Sequence, residues 1–144
     1  MTSVLTQMVA RALLAPGLVV AAAILVKGYA DVGDGFAAGI VAALVVLLQY
    51  VAFGREQVAA ELPVERAPLV GLAGLSLAVL VFALPVAFGD APLEHRPAAG
   101  ETPAHVGSLE LITAVAFDVG VFLLVLGSAI TVIDALATER KAAR

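Results

Sequence analysis

The chain has 144 residues, 62% of them hydrophobic and 14% charged, and its mean hydropathy of +1.06 lies outside the range of soluble domains. A formal net charge of −4 leaves no basic face for nucleic acid, so no nucleic-acid partner is expected. The absence of cysteine excludes disulfides and cysteine-ligated metals and leaves the redox compartment open.

Four apolar segments predict an all-α fold, a single integral membrane domain of four transmembrane helices at Ala12–Ala30, Phe36–Phe53, Pro68–Phe88 and Leu109–Ile133. Each approaches or exceeds the roughly 20 residues that cross a bilayer at 1.5 Å per residue. In the first, Arg11 precedes the apolar stretch and Gly28-Tyr29-Ala30 has cleavage-like spacing. Lys27 and the length of the stretch nevertheless argue for a retained helix rather than a signal peptide. Pro16 falls in its first turns, where a missing N–H costs little. Lys27, at the far end, can snorkel to the interface or face an ion path.

A tight acidic turn, Asp31-Val32-Gly33-Asp34-Gly35, leads into the second helix. Two carboxylates there do not specify a cation site, which needs several converging oxygens, and Asp34 is expected to cap the helix. Gly35-Phe36-Ala37-Ala38-Gly39 is a G-x-x-x-G pattern suited to close helix packing. Gln49 is expected at an interface or bonded to a neighbour. Gly54–Ala67, with Arg55, Glu56, Glu61, Glu65 and Arg66, reads as a solvated loop bounded by Pro63 and Pro68. Pro85 predicts a kink or stop near the end of the third helix. Gly89–Gly107, with three prolines and both His95 and His105, reads as an irregular crossing without its own core, and the two histidines lack metal-ligand spacing.

The fourth segment carries the most informative residue. Asp118 stands on the order of 14 Å along a helix begun at Leu109, where a carboxylate costs roughly 2.5–3.5 kcal/mol on insertion scales. Two readings stay open: a proton or cation relay, including a charge meeting a partner's lysine, or a structural acid bonded within the bundle. No basic residue of this chain is expected at its depth. Glu110, in the first turn after Ser108, complements a helix N-terminus and is a second candidate on the path. Thr113, Gly120, Gly127, Thr131 and Asp134 fall within roughly 60° of one another, and Asp118 points roughly 160° from Gly120. A helix with two such sides is expected between neighbours. The tail 135–144 ends in Glu139, Arg140, Lys141 and Arg144 and reads as charged and cytoplasmic.

Arg11, Arg55, Arg66, Arg140, Lys141 and Arg144 fall on one side of a four-span arrangement, and Lys27 and Arg96 on the other. The positive-inside rule therefore predicts both termini in the cytoplasm. No HExxH, P-loop or G-x-S-x-G motif is present, which argues against an enzyme acting alone, and no cofactor or metal is expected.

Two stretches together resemble a known family. Gly28-Tyr-Ala-Asp-Val-Gly-Asp-Gly-Phe-Ala-Ala-Gly39 looks like the glycine-rich signature of MnhB, the B subunit of Mrp-type multisubunit Na+/H+ antiporters, and Phe117-Asp-Val-Gly-Val121 is similar to that family's FDxGV segment. The signature usually begins Gly-His and continues Pro-Gly-Gly-Gly-Phe, where this chain has Gly28-Tyr29 and Val32-Gly33-Asp34-Gly35-Phe36. The resemblance implies a small subunit of the cell membrane that supports ion translocation and assembly, with Na+ and H+ as the transported ions. It implies partners among large antiporter-like subunits and small hydrophobic ones, besides the lipid bilayer. Gly33, Gly35, Phe36 and Gly39 match the signature turn, and Asp118 and Gly120 match FDxGV. Related subunits occur in membrane-bound hydrogenases and other respiratory complexes, so a redox-driven complex is an alternative expectation. A purely structural scaffold and a free-standing small transporter are others.

Overall fold

The computed structural model describes residues 3–28, 33–87, 89, 104–106, 109–111 and 113–142. Five α-helices account for nearly all of them: α1 (Val4–Lys27), α2 (Asp34–Phe53), α3 (Arg55–Glu61), α4 (Ala67–Ala87) and α5 (Thr113–Ala142). A 3₁₀ turn at Val64–Arg66 leads into α4, and two strands, β1 (Ala104–Val106) and β2 (Leu109–Leu111), form an antiparallel hairpin before α5. The fold is all-α apart from that hairpin. Four helices are long and apolar enough to cross a membrane, as the sequence predicts.

Their bounds differ from the predicted ones in instructive ways. α1 begins at Val4, where Ser3 caps it by accepting from the Thr6 N–H at 3.2 Å. Pro16 therefore lies in the helix interior rather than its first turns, where it withholds an N–H from the helix ladder. The Gly54–Ala67 segment is not a solvated loop. It folds as α3 and the 3₁₀ turn because Val58 and Val64 bury themselves against Val46 and Tyr50, with Ile130, Ile133 and Ala137 alongside. α5 starts at Thr113 rather than Leu109, and Leu109–Leu111 pairs with Ala104–Val106 instead. Most of the Gly89–Gly107 crossing, His95 included, lies outside the described residues.

The helices stand in a row, α1–α2–α5–α4, with α1 and α4 at its ends and no substantial contact between them among the described residues. Glycine sets the spacing within the row. Without a hydrophobic drive between membrane helices, close backbone approach and packing take its place. Between α4 and α5, a Cβ on Gly127 would collide with the Gly71 backbone, one on Gly74 with Leu124, and one on Gly120 would come 2.9 Å from the Ala78 nitrogen. Between α2 and α5, a Cβ on Gly39 would sit 2.9 Å from Val125 Cβ. α5 is thus sandwiched, with Gly120 and Gly127 toward α4 and Asp118, Phe122 and Val125 toward α2.

Candidate functional site

The two glycine-bearing motifs, distant in sequence, meet at the N-terminal ends of α2 and α5. Gly33 precedes α2 with φ +116, a left-handed conformation that favours glycine. Its N–H donates to Asp118 Oδ2 at 2.9 Å. Gly28, just past α1, approaches the same oxygen so closely that a Cβ there would stand 3.0 Å away, and a Cβ on Gly35 would collide with the Asp118 carbonyl. Gly28 and Gly33 thus meet the carboxylate and Gly35 the backbone of a residue that is 4% exposed. The Gly33 donor and the positive end of the α2 dipole offset part of the cost of burying it.

An ion pair lies beside this contact. Lys27 Nζ donates to Asp34 Oδ2 at 3.3 Å, with Asp34 in the first turn of α2 and its Cβ close to Gly28. Lys27 ends α1 at this end of the helices, as expected. What differs is the depth of Asp118: the later start of α5 puts it in the second turn of the helix rather than deep in the span. Lys27 is more than half exposed, so the pair is weak as a source of stability.

A second polar cluster closes the opposite end. Tyr50 of α2 donates its hydroxyl to Asp134 Oδ1 at 2.8 Å, while Arg55 Nε reaches Oδ1 at 3.0 Å and Nη2 reaches Oδ2 at 3.1 Å. That is a fork-to-fork guanidinium–carboxylate pair, the strongest geometry open to these groups. Its hydrogen bonds and charge hold the Arg55 guanidinium above its usual pKa range. Gly54 makes the arrangement possible: with φ +80 it turns the chain from α2 into α3 so that Arg55 points back at α5. Nearby, Gln49 Nε2 donates to the Ala10 carbonyl at 2.8 Å and Gln7 Nε2 to the Ala52 carbonyl at 3.3 Å, binding α1 to α2. Arg11 pairs with Glu61 at 3.4 Å over the ring of Phe53.

Of the residues singled out by sequence, Asp118, Gly33, Gly35, Asp34 and Lys27 come together. Gly39, Gly120 and Gly127 lie further along the helix contacts. Phe36 is 58% exposed and packs outward. Glu110 is not at a helix N-terminus: it lies on β2 opposite His105, because Leu109–Leu111 is extended, and Ser108 lies outside the described residues. Asp31 is also outside them, and with it half of the two-acid turn. Among the described residues no group of three or more His, Asp and Glu could hold a metal ion. Sequence reasoning missed the Tyr50–Arg55–Asp134 cluster. The available signal was depth: Arg55 and Asp134 each stand just past the end of an apolar run, placing opposite charges at the same end of two helices that run parallel.

Comparison with known proteins is consistent with this convergence. Residues 5–131 match the model of a domain related to the MnhB subunit of Na+/H+ antiporters. The Na+/H+ antiporter B subunit of Bacillus subtilis (strain 168) is 34% identical over 113 residues, 78% of each chain. The protein of the same name from Alkalihalophilus pseudofirmus is 30% identical over 112 residues, 78% of this chain and 76% of the relative. A probable K+/H+ antiporter A/B subunit of Rhizobium meliloti is 33% identical over 129 residues, covering 83% of this chain but 12% of that far longer one.

Proposed function

Because this chain belongs to the MnhB family of Na+/H+ antiporter subunits, we propose that its Asp118 site borders the ion path of the assembled complex. The protein is a small multi-pass subunit of a multisubunit cation/proton antiporter in a prokaryotic plasma membrane. As a transporter component it carries out no covalent chemistry of its own in this reading. The transported cation is monovalent, Na+ in the first instance, exchanged for H+. Large antiporter-like subunits and small hydrophobic ones are its neighbours, and the A/B name of the Rhizobium relative supports an A-type protein next to it. Both termini and the Arg55 end face the cytoplasm, following the six-to-two distribution of basic residues.

The observation that carries the site proposal is the Gly33–Asp118 hydrogen bond, which joins both family motifs at one buried carboxylate. A carboxylate this buried near the end of a membrane-spanning helix is costly, which supports a functional role. The Lys27–Asp34 pair adjoining it adds titratable and charged groups that an ion crossing between subunits can meet. The test is Asp118→Asn in the whole complex, expressed in an antiporter-deficient host, with antiport read in everted vesicles and assembly read by pull-down. Antiport should fall roughly tenfold or more while the subunits still co-purify. Unchanged antiport refutes the ion-path role.

A second reading is favoured by the glycine contacts of α5: a scaffold with no polar path. It predicts that Asp118→Asn affects activity only through loss of assembly, and that Gly120→Leu or Gly39→Leu breaks the complex. Membership of a redox-driven complex finds no support in the relatives' names, which are those of antiporter subunits.

A further inference from the structure

At the Arg55 end a groove of about 660 Å³ opens between α2 and α5. Its walls are apolar, with Leu47 and Val51 on one side and Ile133 and Leu136 on the other, and its mouth is polar, with Arg55 and Glu139. We infer that this groove receives the cytoplasmic C-terminal end of a transmembrane helix from another subunit, one that carries a lysine or arginine in its last turn. The inference rests on the subunit reading above and adds the place and chemistry of one contact.

The mouth selects that occupant. Arg55 commits its Nε and one Nη2 N–H to Asp134, which neutralises its charge and leaves further donors on the guanidinium. A helix C-terminus offers what these donors lack: carbonyls without intrahelical partners, at the negative end of the macrodipole. Asp134 already matches Arg55, so among the described residues the lining of the mouth ends in one uncompensated carboxylate, that of Glu139. A basic side chain in the last turn of the incoming helix complements it, and such residues gather at cytoplasmic helix ends. A phospholipid would fill the apolar walls equally well, yet its phosphate would meet Glu139 as a like charge. Leu136 and Val51 are 59% and 60% exposed, so the walls are open to an incoming helix.

The test exploits a chain without cysteine. Leu136→Cys in the tagged chain, labelled with a benzophenone maleimide in native membranes holding the full complex, is photolysed and the adduct sequenced by mass spectrometry. Leu72→Cys, on exposed α4, serves as the control. The expected result is one protein adduct at Leu136, on a single helix end with Lys or Arg in its last turn, different from any adduct at Leu72. Adding Glu139→Lys should cut that adduct by roughly fivefold or more by placing like charges face to face. An intact complex that yields only phospholipid adducts at Leu136, or an adduct on a helix end without a basic residue, overturns the inference and leaves the subunit reading standing. A tagged chain that brings no other subunit with it overturns both.

Discussion

The two ends of the α2–α5 contact hold buried or half-buried aspartates in opposite states of satisfaction. Asp134 is matched by a bidentate guanidinium and a phenol from two other elements. Asp118, more deeply buried, is met by the backbone N–H of Gly33, with the nearest described ion pair turned onto itself as Lys27–Asp34. A carboxylate clamped by a fork-to-fork partner is given over to holding helices together. Asp118, held by a glycine turn, has no fixed counter-cation among the described residues, which is the state the proposed ion-path role needs.

Three substitutions test this contrast, in descending order of effect. Gly35→Leu should be the most damaging, because its side chain would run into the Asp118 backbone, which cannot move aside as a flexible side chain can. Overpacking of that kind costs roughly 1–3 kcal/mol or more, and the chain should largely vanish from purified complex on a pull-down. If it accumulates normally, the glycine turn does not set the α2–α5 spacing. Asp134→Ala should lower the melting temperature of the solubilised complex by about 5 °C, since Tyr50 and Arg55 lose their acceptor, while antiport per assembled complex stays near wild type. Antiport lost ahead of stability would reverse the contrast between the two ends. Phe36→Ala should change the melting temperature of the isolated chain by no more than about 1 °C, because the ring packs on no core of its own. A clear loss of subunit recovery with that variant would instead mark Phe36 as part of an intersubunit contact.

Much of the frame is legible in the sequence because lipid imposes long, uninterrupted apolar runs, and because glycine at helix spacing has few uses in a membrane other than close approach. The two-sided character of α5 follows from Gly120, Gly127 and Asp118 on a helical wheel. What the sequence hides is set by distant partners. Leu109-Glu110-Leu111 reads equally well as the start of a helix or as a strand, and only pairing with Ala104–Val106 decides it. That choice moves the helix start by four residues and changes the apparent depth of Asp118. The charges of Arg55, Glu56 and Glu61 mask α3, whose reason for folding is the single buried face of Val58. Arg55 and Asp134 are far apart in the chain, and no local pattern links them.

α5 carries both aspartates on one unbroken helix of 30 residues. Sixteen residues apart, Asp118 and Asp134 are separated by about 24 Å along its axis, close to the depth of a bilayer's hydrocarbon core. The helix is therefore a stiff connecting rod. A sliding or rotation of α5 that parted Asp118 from Gly33 would also strain the grip of Arg55 and Tyr50 on the far end.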